Sequence, residues 1–262
     1  MNSASCKRLW FFDFDGTLSP IVPERSEAFI HPDCKKLLRE LVARPRECVA
    51  VLSSRLLEDL IPRVDVPGVF LGGGSGIEWF VEGKERWIAD EELKNRLKIA
   101  RVQLLPIIMK LAVMPGIEIE DKKWSIAIHT RKSSDDSRRQ IAALMETWYN
   151  SYLVRMFRGP EVIEVQFLPE INKAYGVQAL CKFLGLEPGN IEIVYAGDDE
   201  NDAIAMQWVL QHGGIAFTVD HISLVPDAMV VEGPEALAGE IRRLYGSRCG
   251  KEVEVKSCTI SK

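Results

Sequence analysis

The sequence predicts an α/β protein built on an open, mostly parallel sheet, with a second α/β unit inserted into it. Three observations predict this. Short apolar runs alternate with helical spacings over residues 9–71 and again over 173–245, the rhythm of strands joined by crossover helices. Between these stretches, short strand-like segments come in pairs separated by long helices. Polar and acidic steps fall directly after successive apolar runs, at the strand ends where open α/β sheets gather ligands.

Leu9-Trp10-Phe11-Phe12 is an aromatic-rich apolar run and reads as a buried strand. It leads straight into Asp13-Phe14-Asp15-Gly16-Thr17-Leu18. Leu37, Leu38 and Leu41 carry a helical spacing over 33–43, and Cys48 to Leu52 is a second buried strand. A short helix follows over 54–61, then a third strand over 66–71 that ends in Gly72-Gly73-Gly74. The inserted unit is expected to span 78–167. It opens with a hairpin, 77–81 against 85–88, turning through Glu82-Gly83-Lys84. Leu93, Leu97, Ala100, Leu104 and Ile108 mark a helix expected to kink or stop near Pro106. Segments 117–120 and 124–130 pair around Asp121-Lys122-Lys123, and a second helix covers 135–148. A third pair, 152–157 with 162–167, turns at Arg158-Gly159-Pro160. The alternating rhythm then returns: helix 173–184, strand 191–196, helix 200–210, strands 214–218 and 228–231, helix 234–245. The core is therefore discontinuous, 1–77 and 168–262, with a polar tail from Ser247 expected to fray.

Composition bounds the function. The chain has 262 residues, 47% of them hydrophobic and 27% charged, with a net charge of −5, ordinary for a soluble globular protein. Without a basic excess or basic block, nucleic acid and anionic lipid are not expected partners. No apolar stretch reaches the roughly 18 residues of a membrane helix. The first strand is expected close to the N-terminus of this sequence, so a removable signal peptide is not expected. The six cysteines (6, 34, 48, 181, 249 and 258) show no CxxC spacing, so reduced thiols in a cytoplasmic protein are expected, and a zinc site is not. The absence of GxxxxGK[ST] excludes a P-loop. Gly72 to Gly76 precedes a strand rather than a helix, so it reads as a hinge or a close backbone approach between core and insertion.

Four pieces fall at successive strand ends: Asp13 with Asp15, then Ser53-Ser54-Arg55, then Asn172-Lys173, then Gly197-Asp198-Asp199-Glu200-Asn201-Asp202. Two carboxylates one residue apart at a sheet end can hold a hard cation and leave an oxygen free to attack phosphorus. Five aspartates in one pocket repel by several kcal/mol at about 4 Å, even at an effective dielectric of 20. A divalent cation with oxygen ligands relieves this, and magnesium accepts one or two carboxylates plus waters and phosphate.

In order and spacing these pieces resemble the four motifs of haloacid dehalogenase phosphatases, which implies a Rossmann-like core with a cap. The resemblance assigns Asp13 as the nucleophile that forms an aspartyl-phosphate. Asp15 would protonate the leaving alkoxide and then take a proton from the hydrolytic water. Asp13, the carbonyl of Asp15 and Asp198 would ligate Mg2+, with Asp199 and Asp202 behind them. Ser53, rather than Ser54, would hydrogen-bond a phosphoryl oxygen, Lys173 would supply positive charge, and Arg55 would touch the substrate. Gly16 and Thr17 would offer backbone N–H groups to the same oxygens.

Strand alternation in the insertion puts Glu118, Glu120 and Lys122 opposite Ile117 and Ile119. Ser125, Ala127, His129 and Arg131 likewise oppose Trp124, Ile126 and Ile128, and Glu164 and Gln166 oppose Ile163 and Val165. The helices can cover only the apolar face. The polar face is left open, and its carboxylates and lysine suit a polyhydroxylated ligand. The segment from Ile119 to Arg131, with 49–55, 76–78 and 162–173, is similar to trehalose-6-phosphate phosphatases. That likeness implies that Glu120, Lys122 and Glu164 grip the sugar distal to the phosphate. Three departures stand out: Gly74-Ser75-Gly76 where that family usually has Asn-His-Gly, Gln166-Phe167 where it has Arg-Pro, and Asn201 where it has Thr.

The expected activity is magnesium-dependent hydrolysis of a sugar phosphomonoester, foremost trehalose 6-phosphate. Another sugar or glycosyl-glycerate phosphate, such as mannosyl-phosphoglycerate or sucrose phosphate, is the nearest alternative. A phosphomutase shares the aspartyl-phosphate. A non-enzymatic sugar-phosphate sensor is disfavoured because Asp13, Asp15, Lys173 and Asp198 are intact.

Overall fold

The computed structural model describes residues 6–81, 83–87, 91–149, 154–158, 161–220, 222–223 and 225–246. Glu82, Ile88, residues 152–153, Gly159-Pro160, the tail from 247 and two of the cysteines lie outside them. In chain order the elements are β1 (Arg8–Phe12), α1 (Pro32–Val42), β2 (Glu47–Leu52), α2 (Leu57–Val64), β3 (Phe70–Gly73), β4 (Glu78–Val81), β5 (Lys84–Trp87) and α3 (Glu91–Ala112). Then come β6 (Glu118–Asp121), β7 (Ser125–His129), α4 (Asp135–Tyr149), β8 (Arg155–Arg158) and β9 (Val162–Gln166). The chain closes with α5 (Lys173–Leu184), β10 (Glu192–Gly197), α6 (Glu200–Gln211), β11 (Ile215–Val219), β12 (Met229–Val231) and α7 (Gly233–Tyr245).

The larger sheet has the order β12-β11-β10-β1-β2-β3-β4-β5. It is parallel from β12 to β3 and antiparallel beyond. β1 is buried on both faces, which explains its unbroken apolar run. Trp10 and Phe12 pack with Leu37, Leu60 and Ile241 on one side, and Leu9 and Phe11 with Val177, Leu180 and Met206 on the other. Phe12 pairs with Val51 of β2 and Ala196 of β10. That register brings the carboxyl ends of all three strands to one level and so sets where the motif residues emerge.

The hairpin expected to open the insertion instead extends the core sheet, Leu71 pairing with Phe80 and Trp79 with Arg86. The reason is burial. Trp79 and Val81 enter one core layer and Phe80 lies against the other, while the added strands cover what would otherwise be a bare edge at β3. The second sheet is thus confined to the stretch after the hairpin. Its order is β6-β7-β9-β8, antiparallel throughout. Ile126, Ile128 and Val165 on one face pack with Ala100, Leu104 and Leu111 of α3 and Ile141 and Met145 of α4. Across the other face Ala127 lies between Glu120 and Glu164. Helix α3 runs unbroken through Pro106, contrary to the expected stop. Pro106 is exposed, so the carbonyl that loses its partner can bond to water.

The two units meet at a small apolar joint of Ile77, Leu93, Trp124, Leu168 and Ile171. A Cβ on Gly74, at φ +56, would lie 2.3 Å from Trp124 Cδ1. The glycine run is therefore a close approach between core and insertion. Lys123 adds ion pairs across the joint, 2.9 Å to Glu58 and 3.7 Å to Glu78.

Candidate active site

Asp13 follows the last residue of β1, and its N–H donates to the Ala196 carbonyl at 2.9 Å. Lys173 opens α5, whose N-cap is Asn172, with Oδ1 accepting the Tyr175 N–H at 3.1 Å. This cap aims the Lys173 side chain under the sheet end. Its Nζ lies 2.6 Å from Asp13 Oδ1 and 2.6 Å from Asp202 Oδ1. Asp202, fully buried, also accepts the Tyr195 hydroxyl at 2.6 Å and the N–H groups of Asp198 and Asp199. Asp199 and Asp202 form a reciprocal capping box at the start of α6. Asp202 thus braces the loop and the lysine, and its oxygens are taken.

Carboxylates of Asp13, Asp198 and Asp202 offer oxygens within 4.8 Å of one another. Burial, opposed by Lys173 and reinforced by Asp198, Asp199 and Asp15, pushes Asp13 well above the usual carboxylate range. Burial and the neighbouring Asp202 push Asp198 up to about 7. For Lys173, burial opposes the charge, but Asp13, Asp199 and Asp202 outweigh it and raise its pKa. One ammonium among so many carboxylates leaves a negative excess that a hard cation would neutralise. With Asp202 engaged, Asp13 and Asp198 are the carboxylates free to hold it, so the donor set fits Mg2+. Gly16 makes room: a Cβ there, at φ +79, would fall 2.0 Å from Asp198 Oδ2. Thr17 Oγ1 donates to Asp198 Oδ1 at 3.3 Å and is itself buried.

One expectation needs correction. Arg55 was expected at the substrate, but its side chain is 1% exposed and four of its five N–H groups are used. Nε and Nη2 donate to the two oxygens of Asp15 at 2.7 and 2.6 Å, Nη1 to Asp59 at 2.6 Å, and Nη2 also to the Arg25 carbonyl at 2.8 Å. Arg55 therefore holds Asp15 and is shielded from any ligand. Ser53 is buried with its Oγ accepting the Arg55 N–H at 3.1 Å. That bond leaves the Ser53 hydroxyl hydrogen free to donate, and Ser54 beside it lines the cleft.

That cleft, of about 270 Å3, is lined by Asp13, Asp15, Ile21, Arg25, Ser54, Lys173, Asp198 and Asp199, among others. A smaller cavity joins Ser54, Gly74 and Ser75 of the core to Lys122, Trp124, Ser125, Glu164 and Gln166 of the insertion. Ser54 is the shared wall. Lys122 Nζ donates to Glu164 Oε2 at 2.9 Å and Ser125 Oγ to Glu164 Oε1 at 3.0 Å. Glu120 does not join them; its Oε2 lies 3.2 Å from His129 Nε2. The polar face is also less open than expected, because Lys122, Ser125 and Ala127 are buried. Two departures from the trehalose-phosphatase pattern touch, Asn201 Nδ2 lying 3.5 Å from Ser75 Oγ. A third, Gln166, donates through its side-chain amide to the Ile171 carbonyl.

Sequence reasoning passed over Asp59 and Tyr195. Asp59 sits four residues after Arg55 on a helix, a readable i,i+4 pair. Tyr195 carried no signal, since a buried strand tyrosine is ordinary core. A larger, mainly apolar cavity of about 790 Å3 lies at the opposite end of the strands beside Cys6, Cys48 and Phe70. None of the residues just described lines it.

A parallel sheet with paired aspartates after its first strand, a lysine and an acidic loop at neighbouring strand ends, and an inserted α/β unit defines a haloacid dehalogenase-like protein. Solved structures agree on the fold. A haloacid dehalogenase-like hydrolase from Bacteroides thetaiotaomicron superposes with TM-score 0.63 at 14% identity, over 91% of this chain and all of that one. A trehalose-6-phosphate phosphatase related protein superposes with TM-score 0.67 at 18% identity, over 90% and 94%. The chain belongs to the trehalose-phosphatase family, whose model matches residues 11–229. It is 30% identical over 247 residues to the trehalose-phosphate phosphatase of Mycobacterium tuberculosis, covering 88% of this chain and 61% of that protein. It is 26% identical to trehalose-phosphate phosphatase B of Arabidopsis thaliana, over 86% and 62%. The chain thus spans about three fifths of the length of these curated relatives.

Proposed function

We propose that this chain is a magnesium-dependent phosphatase that hydrolyses trehalose 6-phosphate to trehalose and phosphate. The observation that carries the reading is the Asp13–Lys173 contact of 2.6 Å at the end of the first strand, in a chain of the trehalose-phosphatase family. Lys173 orients one oxygen of Asp13 and leaves the other to attack phosphorus in line with the leaving sugar oxygen. Asp15, positioned by Nε and Nη2 of Arg55 and carrying the proton taken up in the preceding hydrolysis, delivers it to that oxygen as the P–O bond breaks. It then accepts a proton from the water that hydrolyses the aspartyl-phosphate. Ser54 and the N–H groups after Gly16 bind the phosphoryl oxygens. Magnesium held by Asp13, the Asp15 carbonyl and Asp198 would neutralise phosphate charge.

The inserted unit acts as a cap that closes over the sugar. Its polar face brings Lys122 and Glu164 to the wall shared with Ser54, where hydroxyls of the distal glucose would meet them. Glu120 lies farther out beside His129 and would reach the sugar only at its rim. The four described cysteines are free thiols, which supports a reducing compartment such as the cytoplasm, and no described helix is long and apolar enough to cross a membrane. Phosphate release measured over a panel of sugar phosphates tests the reading. Trehalose 6-phosphate should be turned over with the highest kcat/KM. Preferred release from sucrose phosphate or a glycosyl-glycerate phosphate would overturn the substrate, and phosphoryl return to a second hydroxyl without free phosphate would make the enzyme a mutase.

A further inference from the structure

Helix α3 is apolar on two opposite sides. Ala100, Leu104 and Leu111 pack into the core of the insertion. On the far side Ile99, Val102, Leu105, Met109 and Val113 are 56%, 64%, 51%, 62% and 81% exposed. At 100° per residue these five fall within an arc of about 120°, centred opposite the buried face. Half of the ten exposed large hydrophobics among the described residues therefore lie on this helix and the residue after it. They present roughly 500 Å2 of continuous apolar surface, the scale at which a patch marks a contact site.

We infer that this stripe is the interface of a homodimer, two copies of α3 packing antiparallel. The stripe is close to symmetric about Pro106. Ile99 and Val113 lie seven residues to either side, and Val102 and Met109 four and three. An antiparallel partner about a two-fold axis at Pro106 would set Ile99 on the partner's Val113 and Val102 beside the partner's Met109. Such an isologous contact needs one self-complementary patch. A standard interface buries about 800 Å2 per partner; the stripe of roughly 500 Å2, widened by its rim of Asn95, Lys98, Gln103 and Lys110, makes a contact at the small end of that class. The helix carries Lys94, Arg96, Lys98, Arg101 and Lys110 against Glu91 and Glu92, so an anionic bilayer is the rival occupant that the test must separate from a second copy. The dimer lies on the outer face of the insertion and leaves the phosphate cleft open, so it stands independently of the phosphatase reading.

Sedimentation velocity of the full chain tests it, over about 1 to 100 µM, a range that brackets the micromolar Kd expected of a small interface. The wild type should shift from monomer to twice that mass. Val102→Glu and Met109→Glu should each weaken association at least 10-fold, with melting midpoints unchanged at the lowest concentration. Ile222→Glu, which removes an exposed apolar side chain elsewhere, should leave the dimer intact. A wild type that stays monomeric throughout, or grows without limit, overturns the proposal. So does a dimer indifferent to both stripe substitutions. A monomer that co-floats with phosphatidylcholine–phosphatidylserine vesicles would reassign the stripe to a bilayer.

Discussion

Arg55 grips Asp15 with two parallel hydrogen bonds, at 2.7 and 2.6 Å, from a position in which its side chain is 1% exposed. A guanidinium fork meeting a carboxylate in this way fixes both position and plane. In the proposed mechanism Asp15 meets the leaving oxygen, so its orientation is what the fork would supply. Arg55→Lys keeps the charge and loses the fork. It should lower kcat by on the order of 10²-fold while KM stays nearly unchanged. A rise in KM with kcat preserved, in steady-state phosphate release, would show Arg55 binding substrate after all.

Asp13→Asn should leave the fold intact and abolish turnover, since an amide is a poor nucleophile and carries no charge for a cation. Residual activity is expected below about 1% of wild type. A retained far-UV spectrum separates lost chemistry from lost fold. Activity above that level would remove Asp13 from the nucleophile's role.

Ser54 and Ser53 differ in where their hydroxyls lie. Ser54→Ala should cut kcat/KM by roughly 10-fold through loss of a phosphoryl hydrogen bond. Ser53→Ala should cost about 1 kcal/mol of stability, because its Oγ accepts the Arg55 N–H in a buried turn. Kinetics and melting curves of the two variants should show this crossed pattern. The opposite pattern would return the phosphate role to Ser53.

Removal of metal should stop hydrolysis, and added magnesium should restore it. The metal-free protein should also respond to pH with a defined sign. Burial and Asp202 push Asp198 up to about 7, whereas in an unfolded chain an aspartate titrates near 4. Between those values the native state holds a proton that the unfolded state has released, so stability falls as pH rises through that window. In excess chelator the melting midpoint should drop by on the order of 5 °C from pH 5 to pH 8. Magnesium should abolish most of that drop by taking the proton's place. A midpoint that rises with pH under chelation would contradict the buried carboxylate cluster.

Glu164→Gln keeps an acceptor for Lys122 and Ser125 but removes the charge. On trehalose 6-phosphate kcat/KM should fall by about 10-fold, since charge-assisted hydrogen bonds are roughly twice as strong as neutral ones. Turnover of p-nitrophenyl phosphate, which has no second sugar, should be nearly unaffected. Equal losses on both substrates would place Glu164 in the core chemistry. No loss on either would leave the polar face as a solvated surface.

Much of the site could be read along the chain because its signals are local. Asp13 and Asp15 follow an apolar run that had to be buried, Lys173 follows a capping asparagine, and the aspartates at 198–202 open a helix that needs an acidic cap. Hydrophobic period and helix-end chemistry act within a few residues, so those placements were legible. The inward face of the inserted sheet was legible for the same reason, because side chains alternate along every strand. What the sequence by itself determined was therefore the order of the elements and which chemical groups stand at their ends.

Only the tertiary structure decided which partners those groups find. The hairpin at 78–87 could have opened either unit; Trp79 and Phe80 chose the core because both of its layers had room for an aromatic at that edge. Arg55 became a clamp because Asp15 and the Arg25 carbonyl reach it from separate segments. Lys122 met Glu164 through the pairing of β6 with β7 and β7 with β9, across 42 residues of chain. The two-sided apolar helix α3 likewise shows its outer stripe only once one face is committed to the core beneath it. Each of these depends on contacts between distant segments, and a local pattern carries no information about which distant segment will arrive.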